Sequence, residues 1–141
     1  MTRSNEQPSG NPFGEVIYSY TRKQAIKDGV LVDVTDMARE AGFRWPVAVT
    51  AAVWADCVAW SDEDNARQPY QDESGRLWDL LFVATYAVQT ARQDNGQLKY
   101  DIWRVPRDGH STDSQLVSLK LIAGPGDAGE PVVTILQPHE D

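Results

Sequence analysis

Two hydrophobic periods divide this chain. Through residue 92 the apolar side chains fall in short groups set off by threonine and glycine, then in one long helical stripe; from Leu98 onward they alternate. "EVIYSY" (15–20) sets Val16, Tyr18 and Tyr20 against Ile17 and Ser19 and predicts a short strand. Thr21 with Gln24 three residues on makes a capping box, and Gly29 supplies the stop of a short helix. "VLVDV" (30–34) is β-branched and predicts a strand; Thr35 predicts the cap of a second short helix, which Gly42 closes. Arg44-Trp45-Pro46 predicts a turn, Val47 and Val49 a strand, and Thr50 the cap of a helix over "AAVWADCVAW" (51–60). The polar, acidic stretch 61–73 predicts a surface loop.

Ser74 predicts the start of the longest helix, over 75–92. Leu77, Leu80, Leu81, Ala84, Val88 and Ala91 form one apolar stripe, and Trp78, Phe82 and Tyr86 widen it, which predicts a central, mostly buried helix. After the turn signal Asp94-Asn95-Gly96, alternation predicts strands over 98–105, 115–122 and 132–136. The expected architecture is α+β: N-terminal short strand and helix units and two longer helices, packed on a C-terminal antiparallel three-stranded meander. The expected organisation is a disordered tail over 1–12, a single domain over 13–137 and a polar tail over 138–141.

Segment 21–42 first suggests a helix-turn-helix reader of DNA. That motif joins its helices by three or four residues, whereas the five-residue "VLVDV", whose β-branched residues favour a sheet, intervenes here and the second helix "DMAREA" sums to −1, so no direct DNA binding is expected.

Composition adds a partner class. The 141 residues are 41% hydrophobic and 24% charged, as in a globular domain, with a net charge of −8. The charge is uneven: residues 1–60 hold 7 acids against 6 bases, residues 61–141 hold 14 against 7. Such a surface repels phosphate backbones and attracts basic proteins. One cysteine, Cys57, excludes an internal disulfide and a multi-cysteine zinc site. Without a run of about 18 apolar residues or a cationic-apolar leader, no membrane partner and a cytoplasmic location are expected.

Candidate chemistry is thin. Gly124-Pro125-Gly126-Asp127-Ala128-Gly129 has the letters of a dinucleotide loop, but Pro131 and a β-branched run follow where a helix must start. Counted as a calcium loop, 62–73 places Ala66 and Arg67 where a ligand and a glycine belong, so no metal is expected. His110 near Ser111 and Asp113, His139 in the polar tail, and Cys57 on an apolar helix make no catalytic constellation, and neither a catalytic residue nor a cofactor is expected.

Trp54, Trp60 and Trp78 fit helix cores, which leaves Trp45, beside Arg44, and Trp103 as anchors for an interface. The first reading is therefore a non-enzymatic protein-binding chain. It engages a basic host protein through Asp62, Glu63, Asp64, Asp72 and Glu73, with Trp45 or Trp103 as apolar anchor. The alternative is a small enzyme or binder for a nucleotide or phosphate-bearing ligand, using Tyr18, Tyr20, Arg22 and Arg44 near helix starts.

"IYSYTRKQAIKDGVLVDVTDMAREAGFRWPVAVT", with the later "RLWDLL", "RVPRDG" and "GPGD-GEPVVTIL", resembles a family of small uncharacterised proteins encoded on bacterial plasmids and prophages, over roughly 14–137. The resemblance implies no activity, cofactor or site residue. It implies a context: an accessory protein of a mobile genetic element, of the kind that binds host machinery such as defence nucleases, some by mimicking nucleic acid.

Overall fold

The computed structural model describes residues 20–91 and 95–140. The predicted tail 1–12, most of the predicted first strand, including Tyr18, and Asp94 of the predicted turn lie outside the described residues. Thr21 caps α1 (Arg22–Lys27) with the expected reciprocal bonds to Gln24, and β1 (Leu31–Asp33) and α2 (Thr35–Ala41) follow; Thr35 is the first residue of α2 rather than its cap, because its hydroxyl donates back to Asp33 instead of accepting from the helix. β2 (Val47–Thr50) runs into α3 (Ala51–Val53), whose cap is the Thr50 hydroxyl. α4 (Asp62–Arg67) and α5 (Glu73–Thr90) precede β3 (Gln97–Arg104), β4 (Gln115–Pro125) and β5 (Pro131–Leu136).

The fold is mixed α and β, but its sheet is larger than the expected three-stranded meander. Among the described residues it has five strands in the order β1-β2-β5-β4-β3, with β2 and β5 parallel and every other pair antiparallel. β2 is buried along its whole length, as a strand covered on both faces must be, and Val47, Ala48 and Val49 read as a short apolar run that ends at the buried Thr50. Its pairing with β5 joins residues more than 80 positions apart, which no local pattern specifies.

Strand alternation divides the sheet into two faces. Val47, Val49, Tyr100, Ile102, Leu119, Leu121, Val133 and Ile135 meet Leu77, Leu80, Leu81 and Ala84 of α5 and Val53, Cys57 and Val58 in the main core. Ala48, Val132 and Leu136 point to the other face and are buried outside that core, as is Ala25 of α1. Arg22 of α1 donates to Thr134 Oγ1 and to the Val133 carbonyl, both at 2.7 Å, and so fastens the helix to β5.

Two further expectations change. The helix expected over 51–60 is a single α-turn that passes into a π-helical turn over Trp54–Val58, closed by the Ala59 amide donating to the Trp54 carbonyl at 2.8 Å. The wider turn turns both Cys57 and Val58 inward, where a regular helix separates neighbours by about 100°. The surface loop expected over 61–73 contains α4. Ser61 Oγ accepts from the Asp64 amide and Asp64 accepts from the Ser61 amide, a capping box whose acidic N3 residue the composition disguised as loop.

Candidate protein-binding face

α5 starts at Asp72, whose Oδ1 accepts from the Gly75 amide at 2.7 Å. Four residues behind that cap, Arg76 turns inward and is only 5% exposed. Its Nε donates to the Val58 carbonyl at 3.1 Å and its Nη1 to the Val105 carbonyl at 3.0 Å, with its guanidinium 4.5 Å from the Trp60 ring centre. Burial lowers the pKa of this guanidinium, so carbonyl and ring contacts offset part of the desolvation. The same side chain thus ties the start of α5 to the π-turn and to the end of β3. Beside it Asp56 pairs with Arg104 at 3.0 Å. Trp60 is buried, and its indole donates to Asn65 Oδ1 at 2.8 Å.

With Leu77, Leu80, Leu81 and Ala84 sealed inward, the opposite side of α5 is the surface. Trp78, Phe82 and Tyr86 stand there, 37%, 56% and 65% exposed. A spacing of four advances about 40° round a helix, so the three rings form a shallow stripe centred roughly opposite the core-facing residues. Trp78 and Phe82 stack with centroids 6.1 Å apart. The expected mostly buried helix is therefore one-sided, and Trp78, expected in the core, is at the surface. The width of the apolar pattern suggests burial on all sides, whereas Leu77, Leu80, Leu81 and Ala84 already complete the core-facing stripe.

Exposed acids stand on α4 and at the start of α5. Asp62 and Glu63 are exposed on the first turn of α4, Asp72, Glu73 and Asp79 are exposed on or before α5, and the helix's only base is the buried Arg76. Three of the five expected binding acids also have structural partners. Asp64 closes its capping box and pairs with Arg107 at 2.7 Å, Asp72 caps α5, and Glu73 accepts from the Trp60 amide at 3.3 Å.

The expected anchors lie elsewhere. Trp45 is 45% exposed and lines an apolar groove of about 480 Å³ with Phe43, Thr85, Val88, Leu121 and Ala123. Val88 lies 16 residues beyond Asp72, about 24 Å along the helix. Trp103 is exposed opposite Leu116, and alternation with the buried Ile102 puts it on the sheet face away from α5. The structure does not join either tryptophan to the acidic residues.

Nor does it assemble the alternative ligand site from the described residues. The Tyr20 hydroxyl donates to Asp28 at 2.7 Å, Arg22 is fastened to β5, and Arg44 borders the Trp45 groove. The N-terminus of α1 already holds a carboxylate: Asp127 Oδ1 accepts from the Arg22 amide at 2.8 Å and Oδ2 from the Lys23 amide at 3.0 Å. Those two backbone bonds, Lys23's first, lower the Asp127 pKa. The glycine-rich segment is thus a β4–β5 hairpin loop that delivers Asp127 to α1.

A family model for a family of unknown function, DUF6573, matches residues 11–141. The chain belongs to the DUF6573 family. No curated protein and no solved structure matches it. The match takes in the aromatic stripe, the acids around it and the Asp127 loop alike.

Ser111 and His110 both meet Asp108 in the exposed 106–111 loop, while Cys57 lies apart from them in the core. Ser111 Oγ donates to Asp108, whose pKa is held below the ordinary carboxylate value first by that bond and then by the Ser111 and His110 amides. His110 Nε2 lies 3.6 Å from the same carboxylate, so the carboxylate, rather than the histidine, accepts the serine proton bond. Cys57 is 1% exposed, and burial pushes its thiol up to about 12. Among the described residues no group of three His, Cys, Asp or Glu is placed to hold a metal, and no helix is long and apolar enough to cross a membrane. Gln68, not singled out by the sequence, is buried and holds the 106–111 loop by bonding the Pro106 and Ser111 carbonyls and the Gly109 amide.

Proposed function

We propose that this chain is a non-enzymatic protein-binding module whose working surface is the outward side of α5. The observation that carries the reading is the exposed stripe Trp78-Phe82-Tyr86, set roughly opposite the side that packs the core. Aromatic rings anchor interfaces because they bury large area at little conformational cost, and this contiguous set on one helix packs against no core among the described residues. The rim formed by Asp62, Glu63, Asp72, Glu73 and Asp79 selects a basic partner and steers its approach. In a mobile-element setting that partner is a basic host protein, including a defence nuclease whose groove is built for phosphates.

No observation favours the phosphate-ligand alternative, since Asp127 occupies the α1 N-terminus and Asp33 and Glu130 line the cavity beside Arg22. The test is affinity capture from a host lysate with the wild-type chain, with Phe82→Ser/Tyr86→Ser, and with Asp62→Lys/Glu63→Lys. The proposal expects a partner retained at low salt by wild type, lost with the aromatic pair and weakened by charge reversal. Equal retention by all three proteins would refute it.

A further inference from the structure

At the N-terminal end of the stripe, an open cleft of about 610 Å³ is lined by Tyr70, Gln71, Asp72, Gly75, Trp78 and Asp79, with Arg76 at its base. Two exposed aromatic side chains, Tyr70 at 82% and Trp78 at 37%, share this cleft with two exposed carboxylates. A side chain at Gly75 would crowd the Asp72 carboxylate, since its Cβ would lie 3.1 Å from Asp72 Oδ1.

We infer that this cleft takes one arginine side chain from the partner, its guanidinium lying against the Tyr70 and Trp78 rings and bonded to Asp79. The inference rests on the proposed protein-binding role of α5 and names the group that the partner must bring. A planar cation satisfies both wall types at once: ring faces attract it, and a carboxylate receives it through two parallel N–H bonds. Lysine offers a compact, strongly hydrated charge without the flat fork, so it fits the same walls less well. A neutral aromatic ligand would leave the carboxylates desolvated without a counter-charge, and a phosphate would meet like charge. The resident Arg76 is not a substitute, because its guanidinium is already bonded to the carbonyls of Val58 and Val105. Gln71 also lines the cleft, and its Nε2 is buried without an acceptor among the described residues.

The experiment is a titration of the full, isotope-labelled chain with three end-blocked tripeptides, of arginine, lysine or citrulline, followed by NMR. Arginine is expected to shift the Trp78 indole and the Gly75 and Asp79 amides, lysine less, and citrulline not at all. Asp79→Asn and Trp78→Ala should each weaken the arginine response about tenfold while the amides of the sheet keep their positions. Equal shifts from citrulline, equal shifts from lysine, or an arginine response unchanged by Asp79→Asn would each overturn the assignment. Failure here with partner capture still lost in Phe82→Ser/Tyr86→Ser would remove the arginine cleft alone. Failure of both would remove the binding face with it.

Discussion

Arg76 is the residue on which the placement of α5 most depends. Its bonds to the Val58 and Val105 carbonyls satisfy two acceptors from different elements, and its removal leaves both beside a buried void. Arg76→Met should therefore destabilise the fold by about 3 kcal/mol or more in urea unfolding, and Arg76→Lys should rescue little, because lysine cannot span the two carbonyls as a fork. Asp127 gives a pH-dependent counterpart. Its folded pKa lies below the ordinary value of 3.8, so its contribution is fully present above that value and is lost as pH falls through the folded pKa. The melting temperature of Asp127→Asn should fall below wild type at neutral pH, and the gap should close in acid. A gap that persists unchanged to low pH would show that the α1 cap does not depend on the charge.

At the scale of elements, the two sides of α5 make opposite predictions from adjacent residues. Leu81 is fully buried and Phe82 is 56% exposed. Leu81→Ala should cost about 2–5 kcal/mol, whereas Phe82→Ser should stay within about 0.5 kcal/mol, both read from denaturant midpoints. The π-turn predicts a chemical silence: Cys57, buried with its thiol pushed up to about 12, should react with a thiol reagent at pH 8 only as fast as the domain opens. Rapid native-state labelling would mean that the turn is looser than described.

These elements also show what the sequence could and could not disclose. Thr21, Thr50 and the glycine stops announced their helices because capping is a local interaction. Ser61 announced α4 equally, through Asp64, but the surrounding acids and Pro69 suggested a loop. The aromatic stripe was visible as spacing, and its direction was not. Deciding between burial and exposure for Trp78, Phe82 and Tyr86 required knowing that a five-stranded sheet covers only one side of the helix. The β2–β5 pairing that completes that sheet has no local signature. The cleft at Tyr70 is a further step removed, since it joins an inter-helix residue to the first turns of α5.

Across the whole molecule the net charge is −8, and of the bases in and around α4 and α5 Arg76 is buried, Arg104 pairs with Asp56 and Arg107 pairs with Asp64, while Arg67 is exposed. The surface therefore combines an apolar anchor with an unevenly acidic rim, a pairing that gives fast association and salt sensitivity from the charges and residence time from the rings. Salt should accordingly weaken capture in wild type more than in Asp62→Lys/Glu63→Lys.

The most direct measurement compares partner retention by wild type, by Phe82→Ser/Tyr86→Ser, and by Trp45→Ser, each first shown to unfold at the same denaturant midpoint. The account predicts that Trp45→Ser retains the partner as wild type does and that the double variant does not. Retention by the double variant at wild-type level, or loss only in Trp45→Ser, would contradict it.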